Sequence, residues 1–191
     1  MSNESITNVE FYRHALGEEE QQGVLECLKG LFLTTGVQVA QFESGFSKYL
    51  GLPHSVGLNS CTAALHLALL ALDIGPGDEV ITTPMTFIAT ATAILHTGAK
   101  PVFVDVEQDT GLMDPEAVVA AITPATKAIL PVHLYGHPCD MPAILKLASA
   151  YNLIVIEDAC QAHGAAIDGR RVGSFGTGCF SFYPTKNMTT G

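Results

Sequence analysis

One lysine of this chain stands where chemistry is possible. Cys179, Phe180, Ser181, Phe182, Tyr183, Pro184, Thr185, Lys186 and Asn187 run as a short aromatic segment into a turn. Lys186 lies just past it, with no carboxylate within several positions to pair with. A lysine after a strand is ordinarily a solvated surface residue, but two earlier segments change that reading. Ile154, Val155 and Ile156 form an apolar strand that runs into Glu157 and Asp158, with Gln161 and His163 following. Asn59, Ser60, Cys61 and Thr62 lie between a short expected strand and an apolar helix. An amine can condense with an aldehyde, a carboxylate at a strand end can pair with a ring nitrogen, and a small polar turn at a helix start can take a phosphate. Together these are the groups that pyridoxal phosphate requires.

Each residue also has an ordinary reading. To attack an aldehyde the lysine amine must lose its proton, which burial beside a cationic ring favours. Asp158 either keeps a pyridine nitrogen protonated or caps a turn. Ser60, Cys61 and Thr62 either present amides and hydroxyls to a phosphate or form a plain helix cap. Phe87 either stacks on a flat ligand or packs in the core. His133 and His163 fit satisfied structural histidines and stand outside the candidate set.

The elements that must position these groups alternate along the chain. Residues 1–15 read as an irregular arm with Phe11 and Tyr12 as anchors, and residues 16–191 as one domain. Glu18, Glu19 and Glu20 open a helix with Val24, Leu25 and Leu28 on its apolar face, and Gly30 ends it. A second amphipathic helix carries Val39, Phe42, Phe46, Tyr49 and Leu50 and stops at Gly51 and Pro53. Strands are expected near 55–58, 79–82, 101–105, 128–132, 153–157 and 178–182, and helices near 62–72, 87–96, 115–121 and 141–150. Such alternation predicts an α/β fold, a mainly parallel sheet with helices on both faces and ligands at the carboxyl ends of the strands.

Composition narrows the function. The net charge of −10 comes with no basic cluster, which argues against nucleic-acid binding. No apolar run reaches the length of a membrane span, and the polar N-terminus lacks the layout of a secretory signal, so a cytoplasmic location is expected. Five widely spaced cysteines with no CxxC predict free thiols rather than a disulfide or a metal site.

Seven runs in order carry a resemblance: LTTG at 33–36, NSCTAALHLAL at 59–69, GPGDEVITTPMTFIATATAIL at 75–95, PVFVDV at 101–106, PVHLYGHPCDM at 131–141, EDACQAHGA at 157–165 and FSFYPTKN at 180–187. The chain from about residue 16 onward resembles the DegT/DnrJ/EryC1/StrS family of pyridoxal-phosphate sugar aminotransferases. The resemblance implies the large domain of a fold-type I aminotransferase. It assigns the cofactor and proton-transfer lysine to Lys186, the ring-nitrogen partner to Asp158, and the phosphate site to Ser60, Cys61, Thr62 and Ser181. Phe87 then stacks on one face of the ring, and Gln161 lies near its other side or its hydroxyl. Lysine at 186 argues against the family's dehydratase branch, which carries histidine there. Cys61 stands where many relatives have glycine. Cys160 stands where alanine is commoner and reads as a small space-filler. The implied substrates are an amino-acid donor, with glutamate expected, and a keto-sugar carried on a nucleotide, and the implied assembly is a homodimer. Family members continue past the equivalent of Gly191 into a further strand and a smaller domain, so the chain reads as a truncated large domain. The alternative is a non-catalytic or regulatory relative that keeps the cofactor-domain shape.

Overall fold

A computed structural model describes residues 10, 12–31, 33–34 and 36–190 of the 191-residue chain. Phe11, named above as an anchor, and Thr35 of the LTTG run lie outside the described residues. Helix α1 (Glu18–Lys29) begins where Glu20 accepts the Gly17 N–H at 2.6 Å, with three acids in the first turn meeting the positive end of the helix. Its apolar side chains Val24, Leu25 and Leu28 all face solvent. Helix α2 (Val37–Leu50) ends at Gly51, whose φ of 72° is the left-handed cap that glycine adopts without strain.

The segment 55–58 is not a strand. Its alternation is real, but the Ser55 hydroxyl donates to the Glu43 carbonyl and the Gly57 N–H donates to the Glu43 carboxylate at 2.7 Å. The segment is thus pinned to α2 instead of pairing in the sheet. Helix α3 (Cys61–Ala71) follows at once, capped by the Ser60 hydroxyl, which accepts the Ala63 N–H at 3.1 Å.

From there strand and helix alternate: β1 (Glu79–Thr82), α4 (Ala89–His96), β2 (Lys100–Phe103), α5 (Pro115–Ala121), β3 (Thr126–Ile129), α6 (Met141–Tyr151) and β4 (Ile154–Asp158). A two-stranded antiparallel hairpin, β5 (Ala166–Ile167) and β6 (Arg170–Arg171), precedes the last strand, β7 (Thr177–Cys179). The main sheet has the order β2-β1-β3-β4-β7 and every pairing in it is parallel. Successive strands are added on one side of β1 as far as β2 and then on its other side from β3 onward, and the β1/β3 junction is the switch point where such sheets open a crevice at their carboxyl ends.

Both faces of the sheet are covered. Val80, Ala128, Leu130 and Ile156 join Leu65 and Leu69 of α3 and Ala93 and Ile94 of α4 in one buried cluster. Their strand neighbours Ile81, Ile129 and Val155 turn to the other side and meet Val118 of α5 with Met141 and Ile144 of α6. The period of two along each strand therefore serves two cores, as expected for a parallel sheet buried on both faces.

Candidate active site

The end of β4 places Asp158 in the interior at 5% exposure. Its carboxylate accepts the Thr90 hydroxyl at 2.7 Å and the Cys160 N–H at 3.2 Å. Thr86 lies 2.7 Å from Thr90, hydroxyl to hydroxyl. Since Thr90 spends its proton on the carboxylate, Thr86 is the donor between the two. Burial pushes the Asp158 carboxyl above its usual range, against the opposing pull of the Thr90 hydrogen bond, the Cys160 amide, His133 and Lys186. Two neutral donors leave this buried anion short of a positive partner.

The neighbouring carboxylate has the opposite character. Glu157 is fully buried and accepts four hydrogen bonds, from the N–H groups of Gly173 at 2.8 Å, Phe175 at 2.7 Å and Gly176 at 2.7 Å, and from His133 Nε2 at 3.1 Å. The Cys139 N–H donates to His133 Nδ1 at 3.1 Å, so the ring proton sits on Nε2 and points at Glu157. His133 and Glu157 thus brace β4 against the turn that leads into β7. His133 is structural.

Lys186 lies in a closed loop beyond β7. Its N–H donates to the Tyr183 carbonyl at 2.8 Å, and the Phe182 carbonyl accepts the Thr189 hydroxyl at 2.9 Å and the Thr190 N–H at 3.2 Å. The aromatic run before it leaves the strand ladder at Cys179 and beds on α2. Phe46 meets Phe180 edge-on at 5.0 Å and Phe182 at 5.3 Å, and Phe42 meets Phe182 at 5.0 Å. That packing explains why β7 is shorter than the aromatic pattern suggests. The lysine is half-buried and within electrostatic reach of Asp158 and His163. Among the described residues its Nζ has no hydrogen-bond or ion-pair partner.

His163 sits between Phe180 and Phe182, its Nδ1 2.8 Å from the Asn187 side-chain oxygen. Burial holds its imidazole below the ordinary range, against the pull of Asn187 and a Ser181 backbone group. Its Nε2 is buried without a hydrogen-bond partner among the described residues. Sequence reasoning set this residue aside, and it also passed over Thr90. The adjacency of His163 to Gln161 was the available signal for the first; nothing local marked the second.

The remaining candidates fall around this centre. Ser60, Cys61 and Thr62 open α3, with Ser60 and Thr62 exposed and Cys61 buried. Phe87 is 72% exposed, which removes core packing as its role. The Phe87 carbonyl accepts the Thr90 N–H at 3.1 Å, so the exposed ring lies one helical turn from the Asp158 shell. The Gln161 side-chain oxygen accepts the Tyr135 N–H at 2.7 Å and supports a turn in which Tyr135 has a φ of 54°. The Ser181 hydroxyl accepts the Tyr183 N–H at 3.5 Å, and among the described residues no hydrogen bond ties it to the start of α3. A cleft of about 420 Å³ between the end of α2 and the β5–β6 hairpin is lined by none of these residues.

One expectation is overturned. Cys61 and Cys160 are joined as a disulfide and are neither free thiols nor, at 160, a mere space-filler. The remaining described cysteines, Cys27, Cys139 and Cys179, are free. The pairing links positions 99 residues apart, which no local spacing rule registers.

Comparison with known proteins gives the family and the fold. The family model described as the DegT/DnrJ/EryC1/StrS aminotransferase family matches residues 14–191. The UDP-N-acetyl-3-dehydro-alpha-D-glucosamine 3-aminotransferase of Acidithiobacillus ferrooxidans is 50% identical over 97% of this chain and 51% of its own length. The solved structure of S. venezuelae DesV in complex with a ketimine intermediate has a TM-score of 0.86 and 47% identity, covering 90% of this chain and 46% of that one. Spr1654 from Streptococcus pneumoniae in its PLP-form has a TM-score of 0.91 and 36% identity, covering 96% of this chain and 51% of that one. The chain spans about half the length of the curated relatives it matches. It belongs to the DegT/DnrJ/EryC1/StrS aminotransferase family.

Proposed function

We propose that the protein transfers an amino group from an amino acid, glutamate as the expected donor, to a keto-sugar carried on a nucleotide, with pyridoxal phosphate as cofactor. Residues 16–191 form the cofactor-binding large domain in this reading, which acts in the cytoplasm and pairs as a homodimer. No described helix is long and apolar enough to cross a membrane. The observation that carries the reading is the buried Asp158 carboxylate, which among the described residues has two neutral donors, no cation hydrogen-bonded to it and a pKa raised by burial. A protonated pyridine nitrogen is the partner such a group lacks. Among the described residues His163 Nε2 and the Lys186 amine also have no partner, and Lys186 is within electrostatic reach of both Asp158 and His163, which fits a ligand as well. Bound there, the cofactor supplies an electron sink for a carbanion next to nitrogen.

The chain's own residues supply the rest. Asp158 holds the ring nitrogen protonated, while Thr90 and the Cys160 N–H fix the carboxylate's direction. Ser60, Cys61 and Thr62 offer the unpaired amides and hydroxyls of a helix start to the phosphate, an interaction worth about 0.3–1 kcal/mol at an exposed site. Ser181 adds a hydroxyl from beyond β7. Phe87 covers one face of the ring, and Gln161, held by Tyr135, lies toward the other. The Lys186 amine would hold the cofactor and, once released, would act as the base that moves a proton at the substrate carbon.

Borohydride reduction of the yellow, loaded protein followed by peptide mapping tests this reading. The label should fall on the peptide that contains Lys186. A label on Lys127 or Lys146, or no cofactor uptake at all, would sink it.

A further inference from the structure

The geometry points to Cys61–Cys160 as a reversible disulfide that clamps the cofactor seat and tunes its grip with redox state. The seat's occupant is taken from the functional reading above. Cys61 is the first residue of α3, where the phosphate would rest, and Cys160 lies two residues beyond Asp158, where the ring nitrogen would rest. Their Cα atoms are 6.8 Å apart and their sulfurs are bonded. Both sulfurs and an Asp158 carboxylate oxygen lie within 4.8 Å of one another, with Cys61 buried. Among the described residues no hydrogen bond joins the start of α3 to the 158–160 turn, and apolar contact is what else holds them together. The bridge therefore fixes the span between the two ends of a ligand whose own length is fixed. A seat held at that span loses less freedom on binding than one whose halves move independently.

The remaining thiols do not compete. Burial pushes the Cys139 and Cys179 thiols up to about 12, so neither forms a thiolate at neutral pH. Cys27 lies on α1, outside the site. Oxidation takes one proton and one electron from each of the two thiols. A small disulfide such as oxidised glutathione accepts the two electrons and two protons, its S–S bond breaking as Cys61–Cys160 forms. Excess small thiol reverses the exchange. Oxidation tightens the seat, and reduction loosens it.

The test uses the full chain, equilibrated with oxidised glutathione or with a phosphine reductant and then desalted. Non-reducing peptide mapping should find Cys61 linked to Cys160, with denatured thiol counts of three when oxidised, matching the three free cysteines, and five when reduced. Absorbance titration should show pyridoxal phosphate binding at least about tenfold weaker after reduction, a factor that corresponds to roughly 1.4 kcal/mol. Cys160→Ser should show the weak affinity in both buffers. Amide exchange at Thr62, Ala63 and Ala64, read without cofactor, should be slower in the oxidised protein. Absence of the 61–160 peptide, or exchange rates indifferent to redox state, would overturn the clamp. So would zinc held stoichiometrically by the reduced protein and released by Cys160→Ser, which would make the pair a metal site. A redox-dependent exchange rate with no cofactor uptake in either state would uphold the clamp and defeat the functional reading instead.

Discussion

At the scale of single residues, Asp158 is where stability and the proposed function oppose each other. Its folded pKa is raised, chiefly by burial. A raised carboxyl contributes stability below about pH 4, its ordinary value, and loses it as pH rises through the folded value. At pH 7 the cofactor-free fold therefore carries a buried charge as a net cost. Asp158→Asn should raise the melting temperature of the cofactor-free protein at pH 7, and the gain should vanish as pH approaches 4. The same substitution should cut amino transfer by orders of magnitude, because an acid at contact distance is worth about 1–3 pKa units to the ring nitrogen. Single-turnover rates near those of the unaltered protein would show that Asp158 only shapes a turn. Thr90→Val should depress activity more mildly, since the carboxylate keeps the Cys160 amide.

At the scale of elements, the joint between β4 and β7 sets how the chain that carries Lys186 leaves the sheet. Glu157 gathers three amides of the 173–176 turn and the His133 ring, so one side chain fixes how the chain enters β7. Glu157→Gln keeps the size but turns an amide NH₂ toward these donors. Hydrogen bonds to a buried charged group are worth about 1.5–3 kcal/mol, so a loss of roughly that size is expected in denaturant unfolding. A loss under about 0.5 kcal/mol would show that the turn holds without Glu157. Gly176 has no room for a side chain, because an added Cβ would collide with the Val155 carbonyl across the β4–β7 pair. Gly176→Ala should therefore be destabilising even though the position is exposed. The same stretch holds a signal that pattern reading overlooked. Asp168 and Gly169, with φ of 49° and 80°, make the two-residue turn of the β5–β6 hairpin. Asp-Gly is the sequence signature of that turn.

At the scale of the whole molecule, the described surface is unevenly apolar. No side chain of α1 is buried, and Val24, Leu25, Leu28, Leu31, Leu33 and Val37 are all exposed. Exposed apolar side chains in this number mark a contact surface. In the homodimer reading a second copy covers it. Sedimentation velocity should find a dimer, and Leu25→Glu combined with Leu28→Glu should shift it to monomer without loss of the far-ultraviolet spectrum. A native monomer at micromolar concentration would remove the homodimer from the proposal.

The sequence by itself determined the α/β class and the family, and it named the residues proposed for the site. Periodicity, turn residues and the seven runs are local, and local signals survive without knowledge of neighbours. The helix starting at Cys61, the helix over 115–121 and the strand ending at Asp158 follow from it closely. Tertiary structure alone decided what each group experiences. An alternating segment such as 55–58 suits a strand or a strap over a helix equally, and contact with Glu43 of α2 chose the strap. Glu157 and Asp158 are adjacent and chemically alike, yet the fold surrounds one with four donors and leaves the other with two. Nothing within either segment says that Cys61 will meet Cys160, because burial and pairing are set by which distant parts of the chain the sheet brings together.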